Sequence, residues 1–140
     1  MATFPLKVLT MTGTAFEGDV DALLVPTEMG PLLIEAGYTN LITSIVPAGV
    51  MKIVQNGKSD YYAVFGGVVD VRKGSTATVY AEELNRGYEI DMARAMAARD
   101  RNLDRIQYPN DDTDLVKARA HLAKALTRIA VKNLSEGGSI

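Results

Sequence analysis

The patterning of the chain changes character at Glu89-Ile90-Asp91-Met92-Ala93-Arg94-Ala95-Met96-Ala97, and no other feature constrains the fold as strongly. Upstream, short apolar and alternating runs are cut repeatedly by Gly, Pro and Asn, as strands joined by turns are. Downstream, alanine-rich stretches carry apolar residues at helical spacing. Asp91 and Arg94 stand three residues apart on one helical face beside the small Ala95, as an i, i+3 ion pair would, and an acid in the first turn favours the positive end of a helix. The expected organisation is β followed by α, divided into residues 1–86 and 87–140.

Composition excludes several function classes. The chain has 140 residues, 47% hydrophobic and 23% charged, typical of a globular domain with a real core. No apolar run approaches the ~20 residues of a transmembrane helix, and the N-terminus lacks the basic start and long apolar core of a secretory signal. A soluble protein facing the cytosol, without direct membrane insertion, is expected. With no cysteine there is no disulfide, thiol nucleophile or zinc–thiolate site. A net charge of −2 argues against nucleic acid as a partner. Charge is uneven: residues 1–86 hold six Lys/Arg against nine Asp/Glu, and residues 87–140 hold nine against eight. No repeat or low-complexity tract is visible beyond the Ser135–Ile140 tail.

The first segment reads as strands. Lys7–Thr10 after Pro5 suits an edge strand, and Asp21–Val25, stopped by Pro26, a buried one. Val50–Gln55 and Asp60–Phe65 flank Asn56-Gly57 inside a four-residue hairpin loop. Gly66-Gly67 permits a bulge or a close backbone approach. Val68–Arg72 and Thr76–Tyr80, joined through Lys73-Gly74, form a second hairpin. Short strands with frequent turns predict an antiparallel β-sandwich.

The second segment reads as an antiparallel two-helix hairpin, one helix from about Arg86 to Ile106 and the other from about Asp112 to Leu134. Pro109 separates them, and Asp111, Asp112 and Asp114 supply the cap and charge of the second helix. Its apolar stripe is Leu115, Ala118, Leu122, Ala125, Leu126 and Ile129; the first helix offers Ile90, Ala93, Ala97, Leu103 and Ile106. So much alanine buries little area at roughly 25 cal/mol per Å², so the hairpin needs the sandwich or a partner to dock on.

The second helix has five bases and no acid between Asp114 and Glu136: Lys117, Arg119, Lys124, Arg128 and Lys132. With His121, four of them form one helical stripe. A solvated face is the plain reading; an acidic partner or a polyphosphate is the functional one, because mixed signs would stabilise the helix better. Catalytic signatures are weak. His121 is the only histidine, the acidic run lacks the glycine and distal glutamate of a calcium loop, and no Gly-Lys-Ser/Thr follows Gly66-Gly67. Neither a catalytic residue nor a metal site is expected.

Three elements in order carry a family resemblance. Tyr62–Val71 is a strand–Gly-Gly–strand element, Ile90-Asp91-Met92-Ala93-Arg94-Ala95 fits an Ile/Leu-Asp-x-x-Arg-Ala motif, and Asp112-Thr113-Asp114 precedes the alanine-rich basic helix. With these, nearly the whole chain resembles the epsilon subunit of F-type ATP synthases. Gly30–Gly37 sits where that family carries Gly-Glu-Leu-Gly-Ile-x-Pro-Gly followed by His, but here Pro31, Leu33, Ala36 and Tyr38 replace Glu, Gly, Pro and His. The resemblance implies a non-catalytic central-stalk subunit of a complex that couples ion translocation to ATP synthesis, peripheral on the cytoplasmic face of a bacterial inner membrane. It implies a sandwich that binds the gamma subunit and the rotor c-ring; Leu32, Leu33, Ile34 and Tyr38 of the turn-rich loop Met29–Asn40 are the expected rotor and stalk contact, with a buried strand as the alternative reading of that segment. It implies a hairpin that inhibits ATP hydrolysis, Lys117, Arg119, Lys124, Arg128 and Lys132 meeting an acidic segment of the beta subunit. Some bacterial members bind ATP in the folded hairpin, and the matching positions are Asp91, facing the adenine edge, with Arg94, Arg101, Lys124 and Arg128. Here Asn85 stands where ATP-binding relatives carry an acid, and Lys124 replaces an arginine and its bidentate fork. ATP is therefore expected to bind weakly or not at all, and no cofactor is required. The alternative is a generic β-sandwich adaptor with a partner-binding hairpin, which would need no basic helix.

Overall fold

Strand β1 (Phe4–Thr10) buries Phe4, Leu6 and Val8 while the residues between them face outward, the alternation expected of a sheet with one covered face. The computed structural model describes residues 2–74 and 76–138; Met1, Ser75 and the last two residues of the Ser135–Ile140 tail lie outside them. β1 is not an edge strand. It lies between β2 (Gly13–Val20), antiparallel, and the distant β8 (Ala77–Arg86), parallel. Pro5 pointed to an edge because it lacks a donor, but the β8 pairing begins only at Leu6. β2 is the end strand on that side of the sheet.

β3 (Ala22–Thr27) is not stopped by Pro26. It runs on against β4 (Gly30–Glu35), where Pro26 faces Pro31 and neither has an N–H to donate, while the Pro26 carbonyl accepts from Val46 N–H at 3.0 Å. Residues Met29–Asn40 are thus not one loop, since β4 occupies their centre; β5 (Leu41–Ile45) follows. β6 (Gly49–Gln55) and β7 (Lys58–Val71) pair to their tips, so the hairpin loop is only Asn56-Gly57, two residues rather than four. Their φ values of 54° and 76° are what a tight primed turn requires.

Gly66-Gly67 is where β7 changes partner. Residues before it pair with β6 and residues after it with β5, while β8 pairs with β7 on the other side both before and after the two glycines. The two long strands pass from one layer to the other, which makes one continuous eight-stranded sheet into a sandwich. Gly67 has φ 135°, and a β-carbon there would collide with the Tyr80 carbonyl oxygen. The expected antiparallel sandwich is present, with β1–β8 as its parallel pair. Between the layers lie Leu6, Val8, Val20, Leu23, Val25, Ile34, Met51, Ile53, Val64, Val69 and Val79, all essentially inaccessible.

β8 ends at Arg86, and a 3-10 turn (Gly87–Glu89) leads to helix α1 (Met92–Gln107). The first helix starts six residues later than expected, because Arg86 still pairs with Tyr62 and Asp91 is the cap. Its inward residues are Ala95 and Asn102; Ala93, Ala97 and Leu103 face solvent, and Ile106 is half-buried. Ile90 is buried, but in the connector against the sandwich. Of the three acids before helix α2 (Leu115–Ser135), Asp114 is the cap; its carboxylate accepts from Lys117 N–H at 3.0 Å. Ala118 and Ala125 are buried, Leu115, Leu122 and Ile129 are half-buried, and Leu126 turns outward. Gly137 (φ 81°) closes α2, with Gly138 N–H donating to Asn133 O at 2.7 Å.

α2 docks on the outer face of β6 and β7, and α1 packs on α2. Val131 sits in a second apolar cluster with Ala63, Phe65 and Ile90, bordered by Ala48, Val50 and Tyr61. The run Tyr61–Phe65 is apolar throughout because sandwich core lies under one of its faces and α2 under the other.

Candidate functional site

β8 places Glu83 and Asn85 on the face that α2 covers, because they pair directly with Phe65 and Ala63 of β7. Lys124 and Arg128, one turn apart on α2, descend onto these residues. Lys124 Nζ donates to Glu83 Oε1 at 2.9 Å; Arg128 donates to Glu83 Oε2 at 2.8 Å and to Asn85 Oδ1 at 2.8 Å. Both cations also lie over the Phe65 ring, Lys124 Nζ 5.3 Å and Arg128 Cζ 4.7 Å from its centre. Partial burial would raise the Glu83 carboxyl, but the Lys124 hydrogen bond and the two positive charges outweigh it and hold the group below the ordinary carboxylate value.

Beside this cluster opens a cavity of about 690 Å³, walled by the end of β8, the connector, α1 and α2. All five residues matched to nucleotide contacts, Asp91, Arg94, Arg101, Lys124 and Arg128, line it, as do Asn85, Arg105 and His121. Asp91 and Arg94 make no ion pair: the Asp91 carboxylate caps α1 by accepting from Arg94 N–H at 3.1 Å, which leaves the guanidinium free. Arg94, Arg101 and Arg105 have no acidic partner among the described residues. The cavity wall therefore suits an anion, and Asp91 offers an acceptor beside it.

The basic stripe divides. Lys117 and Arg119 are exposed. Lys124 and Arg128 are turned to the sandwich, and Lys132, its side chain only 18% exposed, pairs with Glu136 at 3.4 Å. The plain reading of a wholly solvated face is corrected: packing of α2 on β7 puts part of the stripe into the interface. The proposed rotor contact divides as well. Ile34 is 1% exposed in the core and Leu32, two residues before it on the alternating β4, packs against that core, as does Tyr38 beyond the strand. Leu33, 52% exposed, is the member that presents free surface.

Three residues of the site escaped the sequence reading. Glu83 and Phe65 are separated from their α2 partners by some 40 positions or more; the signal was the unbroken run Tyr61–Phe65, which required a cover on both faces. The third is Asn102, 2% exposed, whose amide donates to Ala98 O at 2.8 Å while its own oxygen has no partner.

The fold and the site define a two-part protein, a β-sandwich with a docked helical hairpin and a cation-lined cavity where they meet. The matching family models are the ATP synthase delta/epsilon chain β-sandwich domain over residues 3–87 and the long α-helix domain of the same chain over residues 89–133. The chain belongs to the delta/epsilon family of F-type ATP synthase subunits, whose members are part of the central stalk. Solved structures share the fold. A chain of the Euglena gracilis mitochondrial ATP synthase (OSCP/F1/c-ring) superposes with TM-score 0.80 at 19% identity, covering 91% of this chain and 79% of that one. A chain of the Tetrahymena thermophila mitochondrial ATP synthase central stalk and c-ring gives 0.62 at 14%, covering 94% and 97%.

Proposed function

We propose that the chain is a non-catalytic central-stalk subunit that couples ion-driven rotation to ATP synthesis and restrains ATP hydrolysis through its helices. In this reading residues 1–86 bind the gamma subunit and the c-ring, and residues 87–140 are the regulatory part, meeting an acidic surface of the beta subunit when released. The complex would stand on the cytoplasmic face of a bacterial inner membrane, with this subunit peripheral; no helix among the described residues is long and apolar enough to cross.

The observation that carries the regulatory half is the nature of the hairpin's seat. α2 is held on the sandwich by Val131 packed with Ala63, Phe65 and Ile90 and by a small set of polar contacts to Glu83 and Asn85. Contacts of this kind contribute a few kcal/mol, a scale on which a partner's charges shift populations. Lys117 and Arg119 stay outward and ready for an acidic partner, while Lys124 and Arg128 become available on release.

Nucleotide binding is proposed to be weak. Lys124 and Arg128 already have an anion, and Asn85 offers an amide to Arg128 where ATP-binding relatives carry an acid. The test is ATP hydrolysis by the assembled complex. Lys117→Gln/Arg119→Gln should raise the rate with assembly intact. Unchanged hydrolysis would remove the regulatory role from this helix, and failure to co-purify with a membrane ATPase would remove the stalk assignment.

A further inference from the structure

The two cations at the centre of the α2 seat are neutralised from within the chain. One carboxylate serves both: Glu83 Oε1 takes Lys124 and Oε2 takes Arg128, over the face of Phe65. Glu83 thus presents what a phosphate group would present, two anionic oxygens toward an ammonium and a guanidinium. Arg94, Arg101 and Arg105, in the same cavity, have no such partner among the described residues. The cavity is therefore a cationic site with one anion position already filled.

We propose that Glu83 is a built-in occupant of the anion position between Lys124 and Arg128, keeping the hairpin docked without a ligand and admitting a polyphosphate there only when the carboxylate is displaced. The ligand class comes from the weak-nucleotide reading above; the occupied cation pair stands on geometry alone. A polyphosphate entering beside an undisplaced Glu83 would bring like charges together in a partly dry site, where repulsion is less screened than in water. A neutral side chain at this position would leave the two cations without an anion and favour phosphate. With Glu83 43% exposed, the carboxylate can swing to water, so the exchange is reversible.

Calorimetry on the full-length chain with inorganic tripolyphosphate at low salt tests this. Glu83→Gln should bind about tenfold more tightly than the wild type, ~1.4 kcal/mol. Glu82→Gln removes the same charge one residue away, from a side chain with no contact to Lys124 or Arg128 among the described residues, and should stay near the wild-type value. Glu83→Gln/Lys124→Gln should lose the gain. Without anion, α2 amides of Glu83→Gln should exchange with solvent faster than in the wild type, and tripolyphosphate should restore their protection. Exchange in β1–β8 reports that the variant is folded. Equal affinities in wild type and Glu83→Gln, an equal gain in Glu82→Gln, or fast α2 exchange that tripolyphosphate does not reverse would each overturn the proposal. If ATP binds none of these proteins while tripolyphosphate follows the expected pattern, the nucleotide reading fails and the role of Glu83 stands.

Discussion

The Arg128 guanidinium lies over the ring of Phe65, 4.7 Å from its centre, and this contact joins the C-terminal helix to the strand that spans both layers of the sandwich. A planar cation can stack on the ring and still send its edge N–H groups to Glu83 and Asn85, which a lysine cannot do. Arg128→Lys should therefore loosen α2 although the charge is kept, and Arg128→Ala should cost the docked state about 2 kcal/mol, the sum of a part-desolvated cation–π contact and its hydrogen bonds. Amide exchange along α2 measures both. Equal protection in the wild type and Arg128→Ala would show that apolar packing around Val131 alone holds the helix.

Acid should release the same latch. The Glu83 carboxyl is held below its ordinary value in the docked state, so its contribution is present above the ordinary carboxylate value and is lost as pH falls through the depressed docked value. Lys124 and Arg128 are the charged groups facing it. α2 protection should fall on acidification from pH 5 toward about pH 3 in the wild type, and much less steeply in Glu83→Gln. Parallel profiles would assign the acid response to other carboxylates.

Gly67 should be the least replaceable glycine. It combines φ 135° with a β-carbon position blocked by the Tyr80 carbonyl at the point where β7 changes sheets. Gly67→Ala should destabilise the protein by more than about 3 kcal/mol, from backbone strain plus a steric clash with main chain. Gly57→Ala, in the open Asn56-Gly57 turn, pays only the conformational term, about 1 kcal/mol. Urea midpoints of the two variants should separate clearly.

Neighbouring residues of β4 should behave oppositely. Leu33 is half-exposed and Ile34 is in the core. Leu33→Asp should leave the isolated subunit folded and weaken assembly with the stalk or ring, whereas Ile34→Asp buries a carboxylate and should unfold the sandwich by several kcal/mol. Thermal melts and co-purification distinguish them. Normal assembly of Leu33→Asp would remove β4 from the contact surface.

What the sequence determined by itself was local. Asp91 and Asp114 act as caps because a side chain reaches an N–H three residues on, whatever surrounds it. Asn56-Gly57 turns because those two residues tolerate positive φ, and Gly66-Gly67 marks the irregularity in β7 for the same reason. Alanine at helical spacing was enough to expect two helices after the strands, although Arg86, read as the start of the first, belongs to β8. Only the tertiary structure decided the rest, because those features depend on which distant segment returns to which. β1 lies beside β8 despite Pro5, β2 forms without a strong apolar pattern of its own, and Leu103 faces solvent while Asn102 is buried. The site follows the same division. Lys124 and Arg128 were legible as bases at helical spacing, and Arg94 and Arg101 through the family resemblance, but Glu83 and Phe65, which Lys124 and Arg128 meet, were not. Those contacts exist because α2 folds back across β7 and β8, bringing together residues 41 and 45 positions apart, and no local rule of spacing encodes which acid will be waiting there.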